Sequence, residues 1–347
     1  MLIVRPSRPE DIDAFAELAA AAGPGFTSLS VPRADLVTRL AKSRAAYHGA
    51  AEAEPGRVYL LMLEDTETGE VVGVSAVKAK IGIEDPYFNF RVLKVAQKSV
   101  AVDRRYDMDV LHLVNECGGS TEVGTLFVRA DYRGKRARVR GAGRLISQAR
   151  YMLIAASPER FSDTVVAELR GHVDADGHSP FWEALGRKFF QMSFEDADRI
   201  SAQKDNQFIL DLMPKHPVYA VLLPHAAQAV IGRTHPEGVG ARRLLEAEGF
   251  RFMDVVDIFD AGPLMKAPTR DIRTVRDSRL RVARATPESG RSPGATRCLL
   301  GNDRFPEFRA LHARARVTRE EVFVEREALA ALEVEDGARV RVWHAGL

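Results

Sequence analysis

The sequence predicts a mixed α/β (α+β) protein with a small C-terminal β-barrel, and three observations carry that reading. The chain opens as strand then helix, its middle holds a strand, a glycine-bearing turn and a helix, and its tail places apolar residues at period two. Its 347 residues suggest two or more domains and are ample for a sizeable core. Hydrophobic residues at 46% and charged residues at 28% exclude extended disorder and collagen-like repetition. A net charge of +2 argues against a dedicated nucleic-acid coat or a polyacid chaperone.

Leu2–Val4, ahead of Pro6, reads as a strand; after Pro9-Glu10-Asp11, Ile12, Phe15, Leu18 and Ala19 recur at helical spacing through Ala22. Gly23-Pro24-Gly25 breaks that helix, and a second runs from Arg33 to Tyr47. Val58–Leu63 and Val71–Val77 flank Asp65-Thr66-Glu67-Thr68-Gly69, whose turn chemistry predicts a hairpin. Residues 82–120, broken by Glu84-Asp85-Pro86 and Gly118-Gly119, read as an irregular elaboration laid over the sheet. Glu122–Arg129 is a strand whose interior Gly124 predicts a bulge or a close backbone approach. A helix from about Gly143 to Ala156 and a strand Val165–Leu169 follow.

Phe181–Phe189 is similar to Leu244–Phe252, each reading as a helix stopped by glycine and entering an aromatic strand. A duplication and a shared helix-stop chemistry explain this equally. A composition shift begins near Pro263. Residues 266–297 hold nine Lys and Arg against three acids, and Val322-Phe323-Val324 and Val340-Arg341-Val342 then alternate. Residues 268–347 therefore predict a small antiparallel barrel.

Cys117 and Cys298 show no CxxC spacing, which excludes a disulfide framework or zinc ribbon. The longest apolar runs, Tyr151–Ala156 and Val218–Leu223, are far short of the ~18 residues that cross a bilayer, and no export leader is visible. A cytoplasmic protein with no membrane partner is expected.

The strongest chemical signal is the strand Glu122–Arg129, then Arg138-x-x-Gly141-x-Gly143, then a helix. Backbone N–H groups of such a turn at a helix N-terminus converge on one spot and favour a phosphate anion. The Lys-Ser/Thr of a P-loop is absent. Arg133, Lys135, Arg136, Arg138, Arg140 and Arg144 have no acid among them, so a pyrophosphate or 3′-phosphate is one partner for this loop, and solvent or RNA are the others.

Five blocks then resemble the arginine N-succinyltransferase family: Asp85-Pro86-Tyr87-Phe88-Asn89-Phe90-Arg91-Val92, Val166-Ala167-Glu168-Leu169-Arg170-Gly171, Ser179-Pro180-Phe181-Trp182, Leu212-Met213-Pro214-Lys215-His216-Pro217 and Asp257-Ile258-Phe259-Asp260-Ala261-Gly262-Pro263. The resemblance runs from Val4 to about Val342. It implies a GNAT-type acyl-CoA N-acyltransferase fold in a catalytic region 1–265, with two GNAT-like halves at about 1–190 and 191–265, and the barrel at 266–347. It implies transfer of succinyl from succinyl-CoA, a co-substrate and no permanently bound cofactor, to the α-amine of L-arginine, opening an ammonia-producing route of arginine degradation. The same fold acting on ornithine, and a homo-oligomer or a heteromer with a homologous subunit, are equally compatible with it. A nucleic-acid binder using the two basic stretches is the rival from another class, and no nucleic-acid partner is expected.

Carried over residue by residue, the resemblance places succinyl-CoA along Leu126 and gives proton transfer to His235. The residues themselves support the first, because pantetheine can run beside a splayed strand as an added strand would, and a backbone N–H there can face the thioester oxygen. A core role for the Leu126 side chain fits as well. For His235, in Arg233-Thr234-His235-Pro236-Glu237, the residues alone fit a capping or packing histidine, with His216 an equal candidate and Glu122 a third base. Neither cysteine sits in a nucleophile motif, so the amine attacks the thioester directly. Arg91 is the candidate for the succinyl carboxylate, and Asp257, Asp260 and Glu122 for the guanidinium. A capped turn or a solvent-facing strand residue is the alternative for those acids, and a surface arginine for Arg91. Tyr132–Gly143 is longer and more basic than the family's pattern, which bears on which amides hold the phosphates.

Overall fold

The computed structural model describes all residues except 24–28, 30, 51, 53, 135–136, 175, 204–206, 287–293 and 345–347. Pro24 and Gly25 of the expected first turn, Lys135 and Arg136 of the basic loop, and Arg291 of the basic tail segment lie outside the described residues.

Tyr59, Leu61 and Leu63 point to one side of their strand and Leu60 and Met62 to the other, yet all five are buried. A strand apolar at every position is a strand covered on both faces, and the surrounding elements supply the covers. The strands of the main sheet are β1 (Leu2–Pro6), β2 (Val58–Asp65), β3 (Glu70–Lys78), β4 (Asn89–Ser99), β5 (Arg104–Val114), β6 (Thr121–Val128), β7 (Thr164–Glu168), β8 (Val218–Tyr219), β9 (Arg251–Asp257) and β10 (Pro263–Pro268). They lie in the order β1-β2-β3-β6-β7-β10-β9-β4-β5-β8, antiparallel throughout except for the β6–β7 pair. Helices α1 (Ile12–Ala22) and α2 (Arg33–His48) put Phe15, Leu18, Leu36 and Leu40 against Leu60, Met62 and Val74. On the opposite face α3 (Ala142–Ala156) puts Leu145, Ile146, Ala149 and Met152 against Leu61, Val72, Val123 and Val165, and connects the parallel strands β6 and β7.

The tail forms the expected barrel, with one correction. Strands β11 (Arg279–Ala285), β12 (Thr296–Gly301), β13 (Ala310–Val317), β14 (Glu321–Val324) and β15 (Arg339–His344) close in the order β12-β15-β11-β14-β13-β12. The β11–β14 pair is parallel, so the barrel is not wholly antiparallel. The intervening β12 and β13 leave β11 and β14 to meet as neighbours of the same direction. Its interior holds Ala283, Leu300, Leu311, Val322, Val324 and Val340, together with Ile3 from β1, whose neighbours Leu2 and Val4 face α3 instead. One alternating strand thus serves two cores. His312 of β13 adds a polar tie: Arg297 donates to its Nδ1 (3.1 Å), so its Nε2–H donates to Gln148 of α3 (3.2 Å).

Residues 82–120 differ from the expected elaboration. They contain the long β4–β5 ribbon, paired from Asn89↔Val114 to Ser99↔Arg104, which extends the sheet in its own plane beside β9. Only its inner end is buried, through Phe90, Val92 and Leu111, although Tyr106, Met108 and Val110 alternate with Asp107 and Asp109, and Met108 and Val110 pair with Val95 and Leu93 on one face, a period-two strand signal that the breakers on either side masked.

The similarity between 181–189 and 244–252 also comes apart. Gly249, at φ +101, does stop the helix Val239–Ala247 and feed β9. Gly186 instead starts a further helix, Gly186–Phe190, and is glycine because a Cβ there would sit 2.1 Å from the fully buried Trp182 ring. Among the described residues, the strands of 191–265 join the one sheet. Gly186→Ala should destabilise the fold by about 2–3 kcal/mol through overpacking. The check is its urea midpoint beside wild type, and an unchanged midpoint would mean that the ring can move aside.

Candidate active site

The parallel pair β6–β7 is joined only at Thr121↔Val165 and Glu122↔Val166; beyond these residues the strands splay. On its other side β6 carries one extra residue against β3, between Gly124↔Ala76 and Phe127↔Val74, with Thr125 at φ +53. This is the bulge that Gly124 predicts, and it turns the Gly124–Leu126 backbone toward the gap between the strands. A cleft of about 1090 Å³ opens there, lined by both splayed strands, Gly143 at the start of α3, and the loop carrying His235.

The inner part of this cleft is acidic. Glu122 is ion-paired with Lys78, whose Nζ lies 3.0 and 3.2 Å from its two oxygens. Glu168, the last residue of β7, accepts from Asn89 Nδ2 at 3.3 Å. Its side chain is open to the cleft, yet desolvation by the surrounding protein, and then the charges of Asp257 and Glu122, hold its carboxyl above the usual range. Asp257 is raised as well, by burial first and Asp260 second. The buried Tyr87 hydroxyl lies against Glu168, and Asn89 Oδ1, which borders these acids, is buried without a hydrogen-bond partner. A pocket with three carboxylates, one lysine and an orphaned acceptor is suited to a ligand that is cationic and rich in donors.

His235 stands on the cleft wall, half-buried, as the N-cap of the turn Pro236–Gly238 that leads into the helix Val239–Ala247. Its backbone N–H donates to Arg170 O at 2.8 Å, and its Nδ1 accepts from Glu237 N–H at 3.2 Å. Burial, and then the nearby Arg170 charge, lower the imidazole below its ordinary pKa. The capping role read from the sequence is present, and it positions the ring on the cleft. His216 is exposed and lies outside the cleft lining.

Other expected residues sort less evenly. Leu126 lines the cleft and is partly packed on the core beneath α3. Of the phosphate-loop residues, Gly143 lines the cleft with open space around its Cβ position. Gly141, at φ +93, is the N-cap of α3, and its Cβ position is occupied by the Arg297 guanidinium. Arg138 is exposed over the Tyr132 ring and outside the cleft. Arg91 is a correction: it pairs with Glu116 and donates to Met253 O at 3.2 Å on the β4 edge, away from the cleft. Asp260 lines the cleft, and each of its oxygens also accepts a backbone N–H, Gly171 at 2.6 Å and Gly262 at 2.8 Å. It ties the end of β7 to the β9–β10 turn. Asp257 accepts from the N–H groups of Phe259 and Asp260 through Oδ1, each at 2.7 Å, and borders the cleft as well.

Comparison with known proteins fits this architecture along its whole length. The arginine N-succinyltransferase beta subunit model matches residues 2–274, and the model of that subunit's C-terminal domain matches 278–344. The chain belongs to the arginine N-succinyltransferase family. Family members named arginine N-succinyltransferase in Escherichia coli (strain 55989 / EAEC) and Shigella flexneri are 39% and 38% identical to it, each over 99% of this chain and 97% of theirs. The solved structure of arginine/ornithine succinyltransferase subunit AI from Pseudomonas aeruginosa superposes with a TM-score of 0.86 at 31% identity, covering 100% of this chain and 99% of that one.

Glu168, Tyr87 and Lys78 also line the cleft, and none of them was among the candidate residues of the sequence. One signal pointed to Glu168: an acid ending an otherwise apolar parallel strand, where open α/β sheets place ligands. Tyr87 and Lys78 come from distant loops and strands, and only folding brings them to it.

Proposed function

We propose that this protein is an acyltransferase that moves succinyl from succinyl-CoA to the α-amine of L-arginine, giving N-α-succinylarginine and CoA. The observation that carries the reading is the juxtaposition, in one cleft, of a bulged, splayed strand, a proton-handling histidine and a carboxylate-lined pocket, in a chain of this family. A GNAT-type N-acyltransferase fold fits the order β6-β7-β10-β9 with α3 as the crossover. Pantetheine would lie along Leu126 as an added strand, with the first N–H groups of α3 near Gly143 facing the pyrophosphate.

The reaction then follows in balanced steps. The α-ammonium loses a proton to the imidazole of His235, on the lone pair that otherwise accepts the long bond from Glu237 N–H. The freed amine attacks the thioester carbon, and the oxyanion is held by backbone N–H at the β6 bulge. The intermediate collapses, the C–S bond breaks, and the imidazolium returns its proton to the CoA thiolate. No covalent acyl-enzyme is required: Cys117 and Cys298 are buried, and burial raises both thiols. Glu168, Asp257 and Glu122 form the guanidinium pocket. Among the described residues no helix is long and apolar enough to cross a membrane. A cytoplasmic location and assembly with a further copy or a homologous subunit belong to this reading.

A thiol-release assay with succinyl-CoA against a panel of amino acids tests it, with arginine expected to be the preferred acceptor over lysine and simple aliphatic amines, and ornithine the informative rival. Acetyl-CoA should be a poor donor, because it leaves the partner of the succinyl carboxylate unpaired. Equal kcat/KM for the two donors would sink the assignment.

A further inference from the structure

Arg170 lies two residues beyond Glu168, where the chain leaves β7, and lines the cleft. Its carbonyl receives the His235 N–H, which fixes its backbone beside that histidine. Its Nε is buried with no hydrogen-bond partner, and among the described residues no carboxylate comes within 4.0 Å of its guanidinium. Neighbouring cations are differently placed: Lys78 is held by Glu122, and Arg150 donates to the carbonyl and hydroxyl of Ser147. A guanidinium stays charged at any working pH and offers five donors in a fork that matches a carboxylate, so leaving it half-buried and unpaired is costly unless a ligand completes it.

We propose that Arg170 binds a substrate carboxylate in this cleft. The inference rests on the succinyl-transfer reading and supplies the anionic subsite which that reading lacks once Arg91 is set aside. Two carboxylates are available. The acceptor's α-carboxylate is one carbon from the attacking nitrogen, and the donor's terminal carboxylate is two methylenes beyond the thioester carbonyl. The first is nearer to a residue bonded to His235, and the two are separable by experiment.

The test compares wild type, Arg170→Ala and Arg170→Lys on arginine against agmatine, which lacks the α-carboxylate, and on succinyl-CoA against butyryl-CoA, which lacks the terminal one. Wild type should prefer the carboxylate-bearing member of each pair. If Arg170 holds the acceptor, Arg170→Ala loses on the order of 10²-fold in kcat/KM for arginine and little for agmatine. The donor preference then survives. If it holds the donor, the collapse appears in the succinyl-CoA to butyryl-CoA ratio instead. Arg170→Lys should keep part of the lost preference, since it retains the charge without the fork. Equal losses on all four substrates, or both preferences intact, overturn the proposal. Calorimetric binding of succinate and of arginine is measured alongside, because it needs no turnover. A wild type that transfers no succinyl but binds either ligand, with binding lost in Arg170→Ala, refutes the activity and keeps the subsite. Where Arg170→Ala fails to fold, Arg170→Gln takes its place.

Discussion

His235→Gln is expected to lower kcat by ~10²–10⁴-fold at neutral pH, the range of general acid–base assistance. The α-amine of a free amino acid is nearly all protonated at that pH, so some group must take its proton before the nitrogen can attack. Glutamine can keep the Glu237 N–H contact but cannot carry a proton through two half-steps. The KM for succinyl-CoA should hardly change, because the donor is proposed to bind along β6 and α3, and part of kcat should return at high pH, where free amine is abundant. The acid side of the wild-type profile has a defined sign. Since burial and Arg170 lower the imidazole pKa, the neutral, proton-accepting ring persists below its ordinary ~6.5, and activity should hold to that side before falling. His216→Gln, at an exposed position outside the cleft, should leave the rate unchanged. Wild-type kcat in His235→Gln, with loss in His216→Gln, would reverse the assignment.

Glu168→Gln should raise the KM for arginine on the order of 10²-fold while sparing the KM for succinyl-CoA, the scale for removing one partner of an enclosed charge pair. The free pocket holds Glu168 and Asp257 at raised pKa, so each is protonated further toward neutrality than an ordinary carboxyl. A guanidinium seated between them favours their ionised forms and so expels protons. Arginine affinity should therefore improve as pH rises through the range in which these carboxyls ionise. Calorimetry in buffers of different ionisation enthalpy should register protons released on binding, and fewer in Glu168→Gln. Unchanged arginine KM in the variant would place the guanidinium elsewhere.

Much of this arrangement was legible before folding. The β1–α1–α2 opening, the β2–β3 hairpin, the strand–turn–helix of β6 and α3, and the tail barrel all follow from local periodicity and turn chemistry, which depend on residues a few positions apart. The bulge at Gly124 was legible for the same reason. The β4–β5 ribbon was legible only in part: Tyr106, Met108 and Val110 alternate with Asp107 and Asp109, but the Glu84-Asp85-Pro86 and Gly118-Gly119 breakers made the segment read as irregular.

The site divides along the same physical line. His235 and Leu126 were named through the resemblance to a known family, and their own sequence context says only that one caps a turn and the other sits in a strand. Which acids face the cleft was decided by long-range packing alone. Asp257 and Asp260 both border the cleft and both accept backbone N–H groups, Asp257 through Oδ1 alone and Asp260 through both oxygens, a division made by the fold and not visible in the sequence. Arg91 lies on β4 and Arg170 just beyond the end of β7. The β4–β9 edge gives the first to Glu116, and the splay beyond β7 leaves the second facing the cleft without a carboxylate. Periodicity sets which way a side chain points from its own strand; what it meets there depends on strands and loops far along the chain, as in the Gly171–Asp260 bond, where the separation is 89, and the Arg91–Met253 bond, where it is 162.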